Sequence, residues 1–403
     1  MTTEMTTETV RTVLPAPPPS PFRAWVAERL FRYAAKDLPV TVSFPDGSVI
    51  GLGGPEFRVV RPSAFFHRLG TQANIGFGEA YMAGDWTSPD PAAVLTPFAA
   101  RMATLVPAPL QAFRRWVDAR RPSTELNTPD GAMENIHRHY DLSNELFETF
   151  LDESMTYSAA WFEPGDDLPT AQLRKIDGIL DYAGVAAGSR VLEIGTGWGA
   201  LAIRAAQRGA TVTSLTISVE QKKLAEERVA AAGLTDRVTV ELLDYRAATG
   251  TYDAVVSVEM IEAVGEEFWP EYFRTLARVL APGGRIGLQA ITMPHDRLLA
   301  TRHSHNWIQK YVFPGGLLPS VPVIEQHAAR VGLSIVRRRS LGLDYARTLE
   351  LWRTRFVGAR DRVAALGFDE VFERLWEFYL SYSEAGFRSR YLDVWQFGLR
   401  STG

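Results

Sequence analysis

The chain contains no cysteine among its 403 residues, and that absence removes several chemistries together. Disulfides, cysteine-ligated zinc and a thiol nucleophile are all excluded. Nor is there any run of about eighteen apolar residues, the length a bilayer-spanning helix needs. The first residues, MTTEMTTETVRTVLPAPPPSP, carry neither the basic region nor the apolar region of a secretory signal, and read as a disordered leader. An excess of basic charge is lacking too: the net charge of −4 argues against a general nucleic-acid binder. With these absences, the expected setting is the cytoplasm. What is present, 46% hydrophobic and 22% charged residues, fits a globular protein. A chain this long exceeds what one core usually fills, so two domains are expected.

The charge is unevenly spread. Between Arg101 and Arg121 five arginines stand against one aspartate, interleaved with Leu105, Leu110, Phe113 and Trp116. The region from Arg297 to Arg355 is again rich in arginine. Basic and large apolar residues together suit a surface that visits anionic lipid headgroups, although a solvated helix face over ordinary core residues has the same composition.

The order of the chain follows from its periodicities. Residues 1–20 form the leader and 21–122 an N-terminal domain. Within it VTVSF (40–44) and FRVVRP (57–62) predict a small antiparallel module, with a helical stretch from about Pro91 to Arg121. Residues 123–135, in a polar, turn-rich segment, make a linker to a domain over 136–403. There the strands SRVLEIG (189–195), TVTSLTIS (211–218), VTVELLD (238–244), YDAVVSVEM (252–260) and RIGLQAIT (285–292) alternate with helices over 171–183, 219–232 and 268–280. That alternation predicts βαβ units: an α/β, doubly wound, Rossmann-like fold beside a smaller α+β domain.

The sharpest local motif closes the first of these strands. Gly195, Gly197 and Gly199 form G-x-G-x-G two residues after Glu193. Gly195 and Gly197 permit a tight turn and close approach of backbone to a ligand. A dinucleotide fingerprint would read G-x-G-x-x-G and aim a helix end at a pyrophosphate. The spacing here suits a cofactor without phosphate, S-adenosylmethionine. Thr216, Ile217 and Gln221 after the second strand stand where ribose and adenine contacts usually lie, with Thr216 in place of the more common acid. Asp244 and Tyr245 after the third strand are positioned for the adenine edge and face. Methyl transfer is the expected reaction type.

Across nearly all of the chain after the leader, the motifs resemble the cyclopropane-fatty-acyl-phospholipid synthases and their methyl- or methylene-branching relatives. The resemblance is carried by IGFGEAYMAGDW (75–86), NIHRHYDLSNELFETFLDESMTYSAAWF (135–162), LEIGTGWG (192–199), LTISVEQ (215–221), VEMIEAVG (258–265), YVFPGG (311–316) and DYARTLELW (344–352). His137, His139, Tyr140 and Asp141 could imitate a metal site, but no further ligands follow, and no metal is expected. The resemblance instead makes this segment a cover over the cofactor, with Tyr157 and Ser158 at its methionine end. Trp198 and Tyr157 could face the sulfonium, since aromatic faces attract cations.

What the resemblance implies is chemistry without a protein nucleophile. An alkene attacks the methyl group, a carbocation forms on the acyl chain, and a base removes one proton in a pocket closed to water. In the family that base resembles a bound bicarbonate, whose partners fall here on Glu262, Tyr345, Gln289, the backbone of Ile291 and the backbone of Ala159. Ala159, Gln289 and Ala263 stand where cysteine, histidine and histidine are usual. Gln289 can donate a hydrogen bond but cannot carry charge. Glu262 is therefore either the base or the holder of the base. Glu259, three residues earlier, is a second carboxylate nearby, open to catalysis, to a cofactor contact or to a solvated position. Whether a cyclopropane closes or a methylene branch forms depends on which proton leaves. The motifs are closer to the branching relatives of actinobacteria. The implied partners are a phospholipid with an unsaturated acyl chain, the inner face of the cell membrane as a peripheral surface, a separate reductase for a methylene product, and a second copy in a homo-oligomer. The competing readings are a small-molecule methyltransferase and a lipid-binding protein without catalysis.

Overall fold

The computed structural model describes residues 12–102, 119–120, 122 and 143–402. Most of the leader, most of the basic stretch up to Arg121, the linker at 123–135 and the cluster His137, His139, Tyr140 and Asp141 lie outside the described residues.

Two compact units emerge, and neither is continuous in sequence. One combines Met1–Arg121, His303–Val312 and Leu349–Tyr391; the other combines Pro122–Arg302, Phe313–Thr348 and Leu392–Gly403. The expected uninterrupted domain over 136–403 is thus broken twice. The reason is apolar burial. Helix Glu370–Arg388 buries Phe372, Trp376, Phe378 and Tyr379, and Phe378 lies 5.4 Å from Tyr81 and 4.7 Å from Trp307, ring centre to ring centre.

The first unit contains β1 (Thr41–Ser43), β2 (Val49–Ile50), β3 (Glu56–Val59) and β4 (Trp86–Thr87), in the order β2-β1-β3-β4. β1 pairs antiparallel with β2 but parallel with β3, so the module is mixed rather than antiparallel. A glycine-rich return over 51–54 carries the chain round the end of β1 and lets β3 enter in the same direction. Helix Pro62–Met82 and the turn after it hold the IGFGEAYMAGDW motif. Glu79 in that motif is fully buried and accepts from Lys310 Nζ (2.6 Å), Tyr311 Oη (2.7 Å) and Arg68 (3.3 Å), while Arg68 also binds Asp85 at 3.1 Å. A buried charge persists only with such partners, and removing one typically costs about 3–5 kcal/mol. Gly78 lies under the Trp307 indole, where a Cβ would fall 2.4 Å from Cδ1. The motif therefore ties the returning 303–312 segment to this helix.

The second unit is built on β5 (Arg190–Ile194), β6 (Thr211–Thr216), β7 (Val238–Leu242), β8 (Tyr252–Val258), β9 (Leu280–Thr292), β10 (Leu333–Ser340) and β11 (Asp393–Ser401). Their order is β10-β11-β9-β8-β5-β6-β7, and only β11 runs antiparallel to its neighbours. Val191, Leu192 and Ile194 of β5 are all buried, as expected of a strand covered by helices on both faces. Tyr272, Phe273 and Leu276 of helix Trp269–Val279 fill one face, and Ile179, Leu201 and Ala205 the other. Strand order reverses between β5 and β8, and ligands in such sheets bind beyond the carboxyl ends at that point.

Candidate active site

At the end of β5 the chain turns through Gly195 (φ 96°) and Gly197 (φ 52°) into helix Ala200–Gln207. Both backbones lie in the left-handed region open to glycine. A Cβ on Gly195 would meet Met260 Cγ at 2.6 Å, so the loops after β5 and β8 are in contact there. Among the described residues, a Cβ on Gly197 would meet nothing within 4 Å. That side of the loop is open to a ligand.

The neighbouring strand ends are polar and ordered. Thr216 Oγ1 donates to Gln221 Oε1 (2.9 Å) and accepts the Ser218 N–H (3.1 Å), and the Ser218 hydroxyl accepts the Gln221 N–H to cap helix Val219–Ala231. Ile217 between them is half-buried. Burial pushes the Asp244 carboxyl up, but hydrogen bonds from Arg246 more than offset this and hold it below the usual range. Tyr245 stands in the hydrophobic core, edge-on to Tyr272 at 5.5 Å. Glu193 is buried within β5, accepts from the Ser214 hydroxyl, and burial raises its carboxyl to about 8.

Helix Asn144–Glu148 supplies the aromatic wall. Its Phe147 lies 5.2 Å from Tyr157 and 5.0 Å from Trp198, and Trp198 Nε1 donates to Asn144 Oδ1 at 2.8 Å. Below Tyr157, Ser158 is held from the core: Lys175 Nζ donates to its hydroxyl at 2.6 Å, and Gln172 Nε2 to its carbonyl at 2.9 Å. Lys175 is 1% exposed, and burial lowers its ammonium to about 8. The motifs did not point to Lys175 or Gln172. A helical signal was nevertheless available, because both fall on the apolar stripe of Leu168, Ala171, Ile176 and Ile179 in helix Leu168–Ala183.

Of the five residues expected around the base, one is Glu262 itself, and the other four divide between Glu262 and Glu259. Glu259 Oε1 accepts the Ala159 N–H (2.9 Å) and Gln289 Nε2 (2.8 Å), and Glu259 Oε2 accepts the Tyr345 hydroxyl (3.0 Å). Glu262 Oε1 accepts the Ile291 N–H, while its Oε2 is buried without a hydrogen-bond partner among the described residues. Tyr345 and Gln289 thus stand on Glu259, the second carboxylate that the sequence leaves open to catalysis, to a cofactor contact or to a solvated position. Gln289 is aimed by its strand: β9 pairs it with Gln396 of β11, whose Nε2 donates to Gln289 Oε1 at 3.0 Å and to the Lys175 carbonyl at 3.0 Å. Burial and then the Glu259 charge push the Glu262 carboxyl up to about 8. Among the described residues no group of three or more histidines or acids could hold a metal ion. No helix among them is long and apolar enough to cross a membrane.

The open Gly197 loop, the polar ends of β6 and β7 and the aromatic wall at Trp198 and Tyr157 fit a cofactor with a sulfonium and no phosphate. Gly195, Gly197, Thr216, Ile217, Gln221 and Asp244 would hold it. The fold and the site define an S-adenosylmethionine-dependent methyltransferase. Residues 127–397 match the family model described as mycolic acid cyclopropane synthetase, and the chain belongs to that family. It is similar to the tuberculostearic acid methyltransferase UfaA1 of Mycobacterium tuberculosis, 52% identical over 97% of this chain and 94% of the relative. It is also similar to the cyclopropane-fatty-acyl-phospholipid synthase of Escherichia coli, 34% identical over 87% of this chain and 88% of that one. A crystal structure of mycolic acid cyclopropane synthase CmaA1 complexed with SAH and CTAB superposes with a TM-score of 0.62, at 32% identity, over 69% of this chain and 98% of that one. The protein is accordingly a fatty acyl methyltransferase of the cyclopropane synthase family.

Proposed function

We propose that the protein methylates the double bond of an unsaturated acyl chain in a phospholipid and releases a methylene-branched product. The observation that carries this reading is the pair of carboxylates, Glu259 and Glu262, held beside the glycine loop in a site that needs no protein nucleophile. The methylene branch is favoured because identity is 52% to a relative named as a methyltransferase and 34% to one named as a cyclopropane synthase.

When bound, S-adenosylmethionine supplies a methyl group made electrophilic by its sulfonium. The chain's own residues have two tasks: to keep water from a carbocation on the acyl chain, and to take one proton from it. The Phe147, Tyr157 and Trp198 wall serves the first and the carboxylates the second. A methylene product is itself an alkene, so a separate reductase would consume it where a methyl branch is the end point. Exposed Phe22 and Trp25, with the Arg29 guanidinium 5.3 Å from the Trp25 ring, support a peripheral position on the membrane's inner face.

Lipid mass spectrometry of a bacterial host lacking its own cyclopropane synthase, and expressing this chain, tests the proposal. A gain of one methylene unit in phospholipid acyl chains, located by fragmentation as a branch, is expected. A ring at the same position would replace the methylene reading with cyclopropane synthesis, and no mass gain would overturn both.

A further inference from the structure

We infer that Glu259 is the base that removes the proton, and that its carboxylate takes the place of an external anion such as bicarbonate. The inference rests on the acyl-methylation reading and names the residue that completes that reaction.

Three donors from three parts of the fold converge on one carboxylate: the Ala159 N–H, the Gln289 amide and the Tyr345 hydroxyl. These are three of the five groups expected to cradle a bound anion. With Glu259 among them, a bicarbonate would find those donors already engaged. The residues present therefore do not fit bicarbonate as a separate base.

The backbone carries the same signal. Glu259 sits at φ 51°, in the left-handed region that side chains rarely adopt, immediately after β8. Such strain persists where the surroundings over-determine it, and it concentrates at active sites. Here it turns the carboxylate toward the donors from Ala159, Gln289 and Tyr345.

The two acids are not equivalent. Glu262 has the Ile291 N–H and a buried oxygen without a partner among the described residues, whereas Glu259 has three donors and the Lys175 charge nearby. Burial raises the Glu259 carboxyl, but the three donors and the Lys175 charge work against that rise, whereas burial and then the Glu259 charge push the Glu262 carboxyl up to about 8. Two donors occupy Glu259 Oε1 and one occupies Oε2, which keeps a lone pair free of these contacts.

The step balances. The alkene's π pair forms the new bond to the methyl carbon, and the carbon–sulfur bond breaks toward sulfur. The cation left on the other alkene carbon takes a hydride from the methylated carbon, which moves the charge there. A carbon–hydrogen bond of the new methyl then gives its electrons to the methylene double bond, and its proton goes to Glu259 Oε2. The resulting acid returns that proton to solvent before the next turnover.

The test uses the purified full chain, S-adenosylmethionine and vesicles of dioleoylphosphatidylglycerol, in buffer freed of carbon dioxide and again with bicarbonate added. The wild-type rate should be the same in both buffers. E259Q should bind S-adenosylmethionine with the wild-type Kd and lose at least about a hundredfold in product formation, the usual lower bound for a general base. If E259Q does not melt cooperatively, E259G, which relieves the left-handed strain, is judged by the same criteria. A wild-type enzyme that needs bicarbonate would overturn the assignment. So would a variant active within about threefold of wild type, or a folded variant that has lost cofactor binding. No product from the wild-type chain would overturn the acyl-methylation reading, and the base assignment with it.

Discussion

The Tyr345 hydroxyl donates to Glu259 Oε2 at 3.0 Å, across 86 residues of sequence. Tyr345 lies in helix Gly342–Gly358 and Glu259 at the end of β8, so this bond connects the start of a late helix to the strand end beside the glycine loop. Replacing Tyr345 with phenylalanine keeps the ring and removes the donor. A hydrogen bond to a charged group is worth about 1.5–3 kcal/mol, so kcat should fall roughly ten- to a hundredfold. The Kd for S-adenosylmethionine, measured by calorimetry, should stay at the wild-type value.

Glu262 makes a prediction whose sign is fixed by burial. Its carboxyl rises from the ordinary value of 4.5 to about 8 in the folded chain, which therefore holds a proton that the unfolded chain has released between those pH values. Stability contributed by this group is present below the unfolded value, declines as pH rises through that window, and is lost above about 8. E262Q cannot ionise. Its melting temperature relative to wild type should rise by a few degrees between about pH 5 and about pH 9. Because glutamine imitates the neutral acid, E262Q should also lose less turnover than E259Q.

Gly197 offers a separable test of the cofactor loop. Alanine at φ 52° costs about 1–2 kcal/mol of backbone strain, yet its Cβ would meet no described residue within 4 Å. The chain should therefore fold, with a slightly lower Tm, while its Kd for S-adenosylmethionine rises about tenfold or more as the methyl group occupies the ligand's side of the loop.

Deleting residues 1–121 appears from sequence to be a clean way to remove the N-terminal domain. The fold predicts otherwise. Phe378, packed against Tyr81 and Trp86, would lose its cover, and Lys310 would lose Glu79. The truncated chain should aggregate, as read by size-exclusion chromatography, rather than retain activity.

Much of the catalytic sheet is legible in the chain. β5, β6, β7 and β8 fall within the apolar runs that predict them, and the turn at Gly195–Gly197 lies where the glycine spacing puts it. The arginine-rich β10 and the antiparallel β11 are harder to read. Arg337, Arg338 and Arg339 in β10 are exposed at the sheet edge, where apolar patterning is weak. The return of His303–Val312 and Leu349–Tyr391 to the first unit is likewise hidden, because helical periodicity shows which face is apolar but not what will cover it.

By itself the sequence determined the reaction class and named candidate parts of the site. The glycine loop, Glu259, Glu262 and Tyr345 belong to local motifs, and Gln289 is named through the family resemblance. Only the tertiary structure decided which carboxylate receives the donors. That choice depends on the β9–β11 register, which sets Gln396 behind Gln289, and on the left-handed backbone of Glu259. Side-chain direction in a sheet reverses with a shift of one residue, so the pairing of Gln289 with Glu259 exists only once the strands are in register.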